Sequence, residues 1–123
     1  MNEYPCPFCS PDGAVLRNEL AYCRFDRYPV TPGHLLIIPW RHEADFFATR
    51  ADEKSAMWSL LDEAKALLER QYAPQGYNLG INVGEVSGQT IAHVHLHVIP
   101  RYRGDADHPR GGVRGVIPSR QSY

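Results

Sequence analysis

At 123 residues the chain is long enough for one hydrophobic core and too short for two ordinary domains. A hydrophobic fraction of 43% with 22% charged residues fits a globular chain, and a net charge of -1 gives no general attraction to nucleic acid polymers or membranes. There is no basic leader before an apolar run and no stretch of about 18 apolar residues, and an odd number of cysteines makes no disulfide framework, so a cytoplasmic protein is expected.

The chain opens with Cys6-Pro7-Phe8-Cys9, a tight loop able to present two thiolates to one metal ion, followed by the turn Ser10-Pro11-Asp12-Gly13. A redox pair is the rival reading, although neither the strand nor the helix that usually flanks one is visible. Two strands are expected over Ala14 to Arg17 and Leu20 to Phe25, joined by Asn18-Glu19, with Cys23 as a small buried hydrophobe and Asp26 ending the second. Pro29, Pro32 and Gly33 impose an irregular connection before His34 to Pro39, a nearly unbroken apolar run that predicts a central strand with His34 at its mouth. Beyond Trp40-Arg41-His42, a short helical turn is predicted around Phe46 and Phe47. Thr49 and Asp52 then read as a capping box for a helix running to about Tyr72. Its Ala56, Met57, Leu60, Leu61, Ala64, Leu67 and Leu68 repeat at helical spacing, leaving Asp52, Glu53, Asp62, Glu63, Lys65, Glu69 and Arg70 toward water.

Pro74 and Gly76 stop this helix, and Tyr77 to Val83 predicts another strand. The glycine-rich turn Gly84 to Gly88 then places Asn82 and Thr90 on the two sides of one hairpin loop, where their side chains suit a phosphate oxygen. Three of the six histidines follow at alternate positions in His93-Val94-His95-Leu96-His97-Val98-Ile99. A strand carrying this pattern shows imidazoles on one face and apolar side chains on the other. Rings two residues apart stand roughly 6.5 to 7 Å apart, close enough to share a substrate or a metal. From Arg101 to Tyr123 the chain is locally basic, with five arginines against two aspartates, and residues 104–123 predict an extended arm with little regular structure.

The run His93 to Ile99, with Pro32-Gly33-His34, an apolar strand and Pro39 upstream, resembles the histidine triad (HIT) family over roughly residues 6 to 103. The resemblance implies an α+β fold: an antiparallel sheet of about five strands with one long helix, one short helix and the C-terminal arm. Residues 1–123 then form a single HIT domain, with 1–13 as a zinc knuckle, and usually a homodimer. It implies a nucleotide or dinucleotide substrate cleaved through a nucleotidyl-histidine intermediate. By matching position, His95 is the nucleophile, and a neutral imidazole can attack phosphorus if its other nitrogen is held as a donor. His97 contacts the phosphate and, at an unperturbed pKa near 6.5, can assist the leaving group. His34 supports the nucleophile, and Asp26 stands where the family places a ribose-binding residue. Asn82, Gln89 and Thr90 fall at phosphate-loop positions. Cys6, Cys9, His42 and His93 match the ligands of a structural zinc.

The arginine-bearing segment after the triad is similar to the fragile-histidine-triad and bacterial dinucleoside polyphosphate hydrolase branch rather than the phosphoramidase branch. Diadenosine polyphosphates are the favoured substrates, with adenosine phosphoramidates and phosphorolysis as alternatives. Two other classes stand beside this: a hydrolase in which His93, His95 and His97 share a catalytic ion, and a nucleotide-binding scaffold with vestigial chemistry.

Overall fold

The computed structural model describes residues 6–123, so the first five positions of the expected knuckle lie outside the described residues. Five strands form one antiparallel sheet: β1 (Ala14–Arg17), β2 (Ala21–Phe25), β3 (Leu35–Pro39), β4 (Gly76–Ile81) and β5 (Leu96–Arg101), in the order β1-β2-β3-β5-β4. One helix, α1 (Ala51–Gln71), packs on one face. The other face carries the site.

Which face each residue takes follows from strand alternation. Ala21, Cys23, Leu35, Ile37, Leu96 and Val98 point toward α1 and join Met57, Leu60, Ala64 and Leu68 in the main core. Burial there pushes the Cys23 thiol up to about 12, so it stays an inert thiol. The opposite face presents Tyr22, Leu36 and Ile38, which form a smaller cluster with Phe8. Tyr22 Oη donates to the Phe8 carbonyl at 2.7 Å, so the N-terminal loop covers only this end of the sheet. The remainder stays open as a cavity.

The helix begins one residue later than its sequence signal suggests. Thr49 Oγ1 donates to the Phe46 carbonyl at 2.6 Å, and the first free amide of the helix, Arg50 N–H, donates to Glu53 Oε1 at 2.8 Å. Glu53 is therefore not turned to water but only 1% exposed, where Arg41 grips it through Nε at 3.0 Å and Nη2 at 2.8 Å. That ion pair holds the Glu53 carboxyl down at about 2. It also anchors Arg41, the residue before His42.

The histidine run starts in a bend over Ile91 to His93 and enters the sheet only at Leu96. Pro39 ends β3 without an N–H to offer, its carbonyl lies 2.7 Å from His93 Nε2, and Val94 N–H donates to the Glu43 carbonyl at 2.7 Å. A side chain and a loop carbonyl thus stand where ladder bonds would be. β4 correspondingly stops at Ile81, leaving Asn82 and Val83 in the loop. The tail also departs from expectation. It folds into two 3-10 turns, Gly112–Val116 and Pro118–Arg120, the first lying against β4. Arg110 and Arg114 both stack on Tyr123, each 4.9 Å from the ring centre, which closes the tail on itself.

Candidate active site

The open face holds a cavity of about 540 Å³ lined by, among others, Asp26, His34, Asn82, Thr90, His95 and His97. Its imidazoles are oriented by backbone groups and by one another. His95, 8% exposed, lies with Nδ1 2.8 Å from the His93 carbonyl, an acceptor only. The proton therefore sits on Nδ1, and the Nε2 lone pair is left free. A neutral imidazole so held is a competent nucleophile.

A second chain of bonds sets His34 and His97. Val30 N–H donates to His34 Nδ1 at 3.0 Å, so the neutral His34 carries its proton on Nε2. That N–H meets His97 Nδ1 at 2.9 Å, and the neutral His97 is left with an N–H on Nε2. Asp26 Oδ2 lies 3.5 Å from His34 Nε2, and Asp26 Oδ1 accepts Tyr28 N–H at 2.8 Å. Burial pushes His97 down to about 4, with His95 and His34 adding to the effect and Asp26 opposing it. His34 is likewise lowered by burial against the pull of Asp26. The expectation of an unperturbed His97 is thus corrected. At neutral pH it is a hydrogen-bond donor to an anion rather than a charged proton donor.

Asn82 and Thr90 both reach the cavity from the loop between β4 and β5. Gln89 is not brought to it. Its Oε1 accepts Gly84 N–H at 2.8 Å, and its Nε2 donates to the Ala44 and Ile91 carbonyls at 2.8 and 3.1 Å. Its amide fixes the loop that carries Thr90. The pattern reading missed the apolar and cationic part of the cavity: Phe8, Leu36, Ile91 and Arg24. A signal for Arg24 was present in the sequence, a lone charge inside the strand Ala21-Tyr22-Cys23-Arg24-Phe25.

Beside this cavity, Cys6, Cys9, His42 and His93 offer ligand atoms that all lie within 4.8 Å of one another. His93 Nδ1 stands 3.4 Å from Cys6 Sγ and 3.6 Å from Cys9 Sγ, and His42 Nδ1 stands 3.2 Å from Cys9 Sγ. Ligands at ordinary zinc–sulfur and zinc–nitrogen lengths on a tetrahedron are about 3.5 Å apart, so this set fits a closed four-coordinate ion. His93 directs Nε2–H to the Pro39 carbonyl, the outer bond that leaves Nδ1 as a lone pair for a metal. Asp26, His34 and His97 also lie within reach of one ion, but two of their nitrogens are already hydrogen-bonded to each other. The three triad rings do not converge on a shared ion: His93 turns to the cysteines, His97 to His34, and His95 to a carbonyl.

The HIT domain model matches residues 9–104. The chain belongs to the HIT domain family. An Ap4A phosphorylase of Mycobacterium tuberculosis is 33% identical over 94 residues, covering 76% of this chain and 48% of that protein. A bifunctional bis(5'-adenosyl)-triphosphatase/adenylylsulfatase of Arabidopsis thaliana is 35% identical over 95 residues, covering 77% and 53%. The chain thus spans about half the length of these curated relatives. Among solved structures, a zinc-bound histidine triad family protein from Mycobacterium smegmatis superimposes with a TM-score of 0.73 at 31% identity, over 81% of this chain and 77% of that one. The five-stranded antiparallel sheet with one helix is the fold of these HIT neighbours.

Proposed function

We propose that this HIT domain is a nucleotidyl hydrolase or transferase acting on dinucleoside polyphosphates, with His95 as the attacking group. The observation that carries the reading is the direction of the His95 ring: Nδ1 bound to the His93 carbonyl and Nε2 free in a cavity that His97, Asn82 and Thr90 also line. In the first step the Nε2 lone pair forms a bond to phosphorus while the bond to the leaving phosphate oxygen breaks. In the second, water or inorganic phosphate attacks the nucleotidyl-histidine and restores the imidazole. His97 Nε2–H, Asn82 and Thr90 supply donors for the non-bridging oxygens, and each well-placed donor contributes about 3 kcal/mol in the transition state. Asp26, on the same face two residues beyond Arg24, is the acceptor for ribose hydroxyls. Gln89 acts one step back, by positioning the loop.

The names of the relatives support a two-ended nucleotide substrate. So does a second cavity of about 400 Å³, lined by Leu79, Ile99, Val113 and Val116, which shares His34, His97 and Asn82 with the first. A phosphate chain lying at those shared residues, next to His95, has room on both sides. We further infer a structural zinc on Cys6, Cys9, His42 and His93. With four protein ligands it leaves no position for substrate and ties the N-terminal loop to the triad segment.

The test is turnover of a panel of dinucleoside polyphosphates, nucleoside phosphoramidates and nucleotide sugars, with and without inorganic phosphate, by the parent protein and by His95→Ala. The variant is expected to stay folded, bind nucleotide and lose turnover. Activity near the parent's would remove His95 from its role. Products bearing an added phosphate would mark phosphorolysis over hydrolysis.

A further inference from the structure

The geometry points to Arg24 as a reader of the base: a guanidinium that makes the deep end of the main cavity prefer a 6-oxopurine, guanine or hypoxanthine, over adenine. The inference rests on the nucleotide reading above and deepens it.

Arg24 is a cation that the fold has buried, at 6% exposure, without a carboxylate partner among the described residues. A structural arginine at that depth is normally paired or fully hydrogen-bonded. Here Nη1 donates to the Pro7 carbonyl at 3.2 Å, the Tyr22 hydroxyl lies beside the guanidinium, and the guanidinium carbon stands 5.6 Å from the Phe8 ring centre. Burial pushes the Tyr22 phenol up and the neighbouring Arg24 opposes it. Among the described residues no wholly buried side-chain nitrogen lacks a partner, and Arg24 is one of the residues that line the main cavity.

Register fixes where Arg24 stands relative to the histidines. Arg24 pairs with Leu36, and Leu36 with His97, so the three stand in one row across the open face. Two strand spacings separate Arg24 from His97, about 9 to 10 Å. The row places Arg24 on the Asp26 side of the cavity, where a base beyond a ribose would lie. Phe8, Leu36 and Ile91 supply apolar walls there, as a flat aromatic ligand requires.

The chemistry of the base edge then decides. Guanine and hypoxanthine show two neighbouring acceptors, O6 and N7, which match the fork of a guanidinium. Adenine shows N7 beside an amino group, so one donor of Arg24 would face another donor and stay unpaired in a buried site. One bidentate contact of this kind discriminates by about tenfold or more. Because Arg24 is also bonded to the Pro7 carbonyl, between the two cysteines, its aim is set by the same loop that carries the metal ligands.

Calorimetric titration of the zinc-loaded full chain with GMP, IMP, AMP and 7-deaza-GMP tests this without altering the protein. GMP and IMP are expected to bind about tenfold or more tightly than AMP, and 7-deaza-GMP, which lacks the N7 acceptor, to lose most of that advantage. Arg24→Met should bring GMP and AMP together, and Arg24→Lys should keep part of the affinity and little of the discrimination. If Arg24→Met does not fold, the ligand series decides by itself. AMP binding as tightly as GMP, or IMP behaving like AMP, overturns the inference. Turnover of dinucleotides that depends on His95 but ignores the base would overturn it and leave the proposed function standing. No binding of any of the four, with no turnover, would overturn both.

Discussion

Replacing His97 with glutamine removes an imidazole that the fold holds neutral, and the effect should appear in how stability depends on pH. The unfolded chain takes up this proton near pH 6.5, whereas the folded chain holds it off until about 4, through burial and the nearby His95 and His34, with Asp26 in opposition. At every pH between these limits the unfolded state binds more protons, so stability falls as the pH falls. Above about 6.5 neither state is protonated and the group contributes no pH dependence. If fully expressed the loss by pH 4 is about 3 kcal/mol, and partial solvent access to the ring brings it to roughly 2. Urea denaturation at intervals from pH 7 to pH 4 should therefore show the parent losing about 2 to 3 kcal/mol more than His97→Gln. Both proteins carry the same cysteines, the same His42 and His93 and, Asp26 apart, carboxylates that do not act on His97, so acid effects there cancel in the difference. Curves that stay parallel would refute the idea that His97 is kept uncharged by its surroundings.

Three further outcomes follow from other parts of the molecule. Glu53→Gln leaves Arg41 without its buried partner and weakens the helix start, and should cost about 2 kcal/mol at pH 7 by urea denaturation; an unchanged midpoint would show that the pair adds nothing. Gly33 has φ +89°, and a Cβ there would stand 2.9 Å from Tyr72 Cδ2. Gly33→Ala is therefore expected to lose about 1 to 3 kcal/mol and to lower kcat/KM by displacing His34; retention of both would show that the turn relaxes freely. Protein purified without a metal-affinity tag should contain one zinc per chain by elemental analysis. Chelation or Cys9→Ser should lower Tm by at least about 5 °C, with the remaining folded protein still turning over substrate, and a metal-free sample with the parent's Tm would remove the zinc from the account.

Much of the fold is legible in short-range pattern, because alternation and helical spacing are local consequences of side-chain direction. The faces of Leu96, His97 and Val98, and of Met57, Leu60, Ala64 and Leu68, are where periodicity places them. What escapes the sequence depends on partners distant along the chain. Glu53 reads as a solvated helix residue until Arg41 arrives beside it, twelve positions away. Gln89 reads as a phosphate donor until the Ala44 carbonyl, 45 positions away, takes its amide. The triad run reads as strand throughout, but its first half loses its ladder to the His93 ring and to Glu43. The tail, rich in glycine and proline, gives no periodic signal, and its compact form depends on Arg110, Arg114 and Tyr123 meeting. The family resemblance supplied roles for the histidines. Their proton positions and the depressed pKa of His97 came from the carbonyls and amides around them.

The amide of Val30 lies in the bend between Pro29 and Pro32, and together with Asp26 Oδ2, 3.5 Å from His34 Nε2, it dictates which way the pair of rings behind it is polarised. With the opposite tautomers, the wall that welcomes an anion would offer it a lone pair instead. The bend thus sets the sign of the site with no side chain changing its charge.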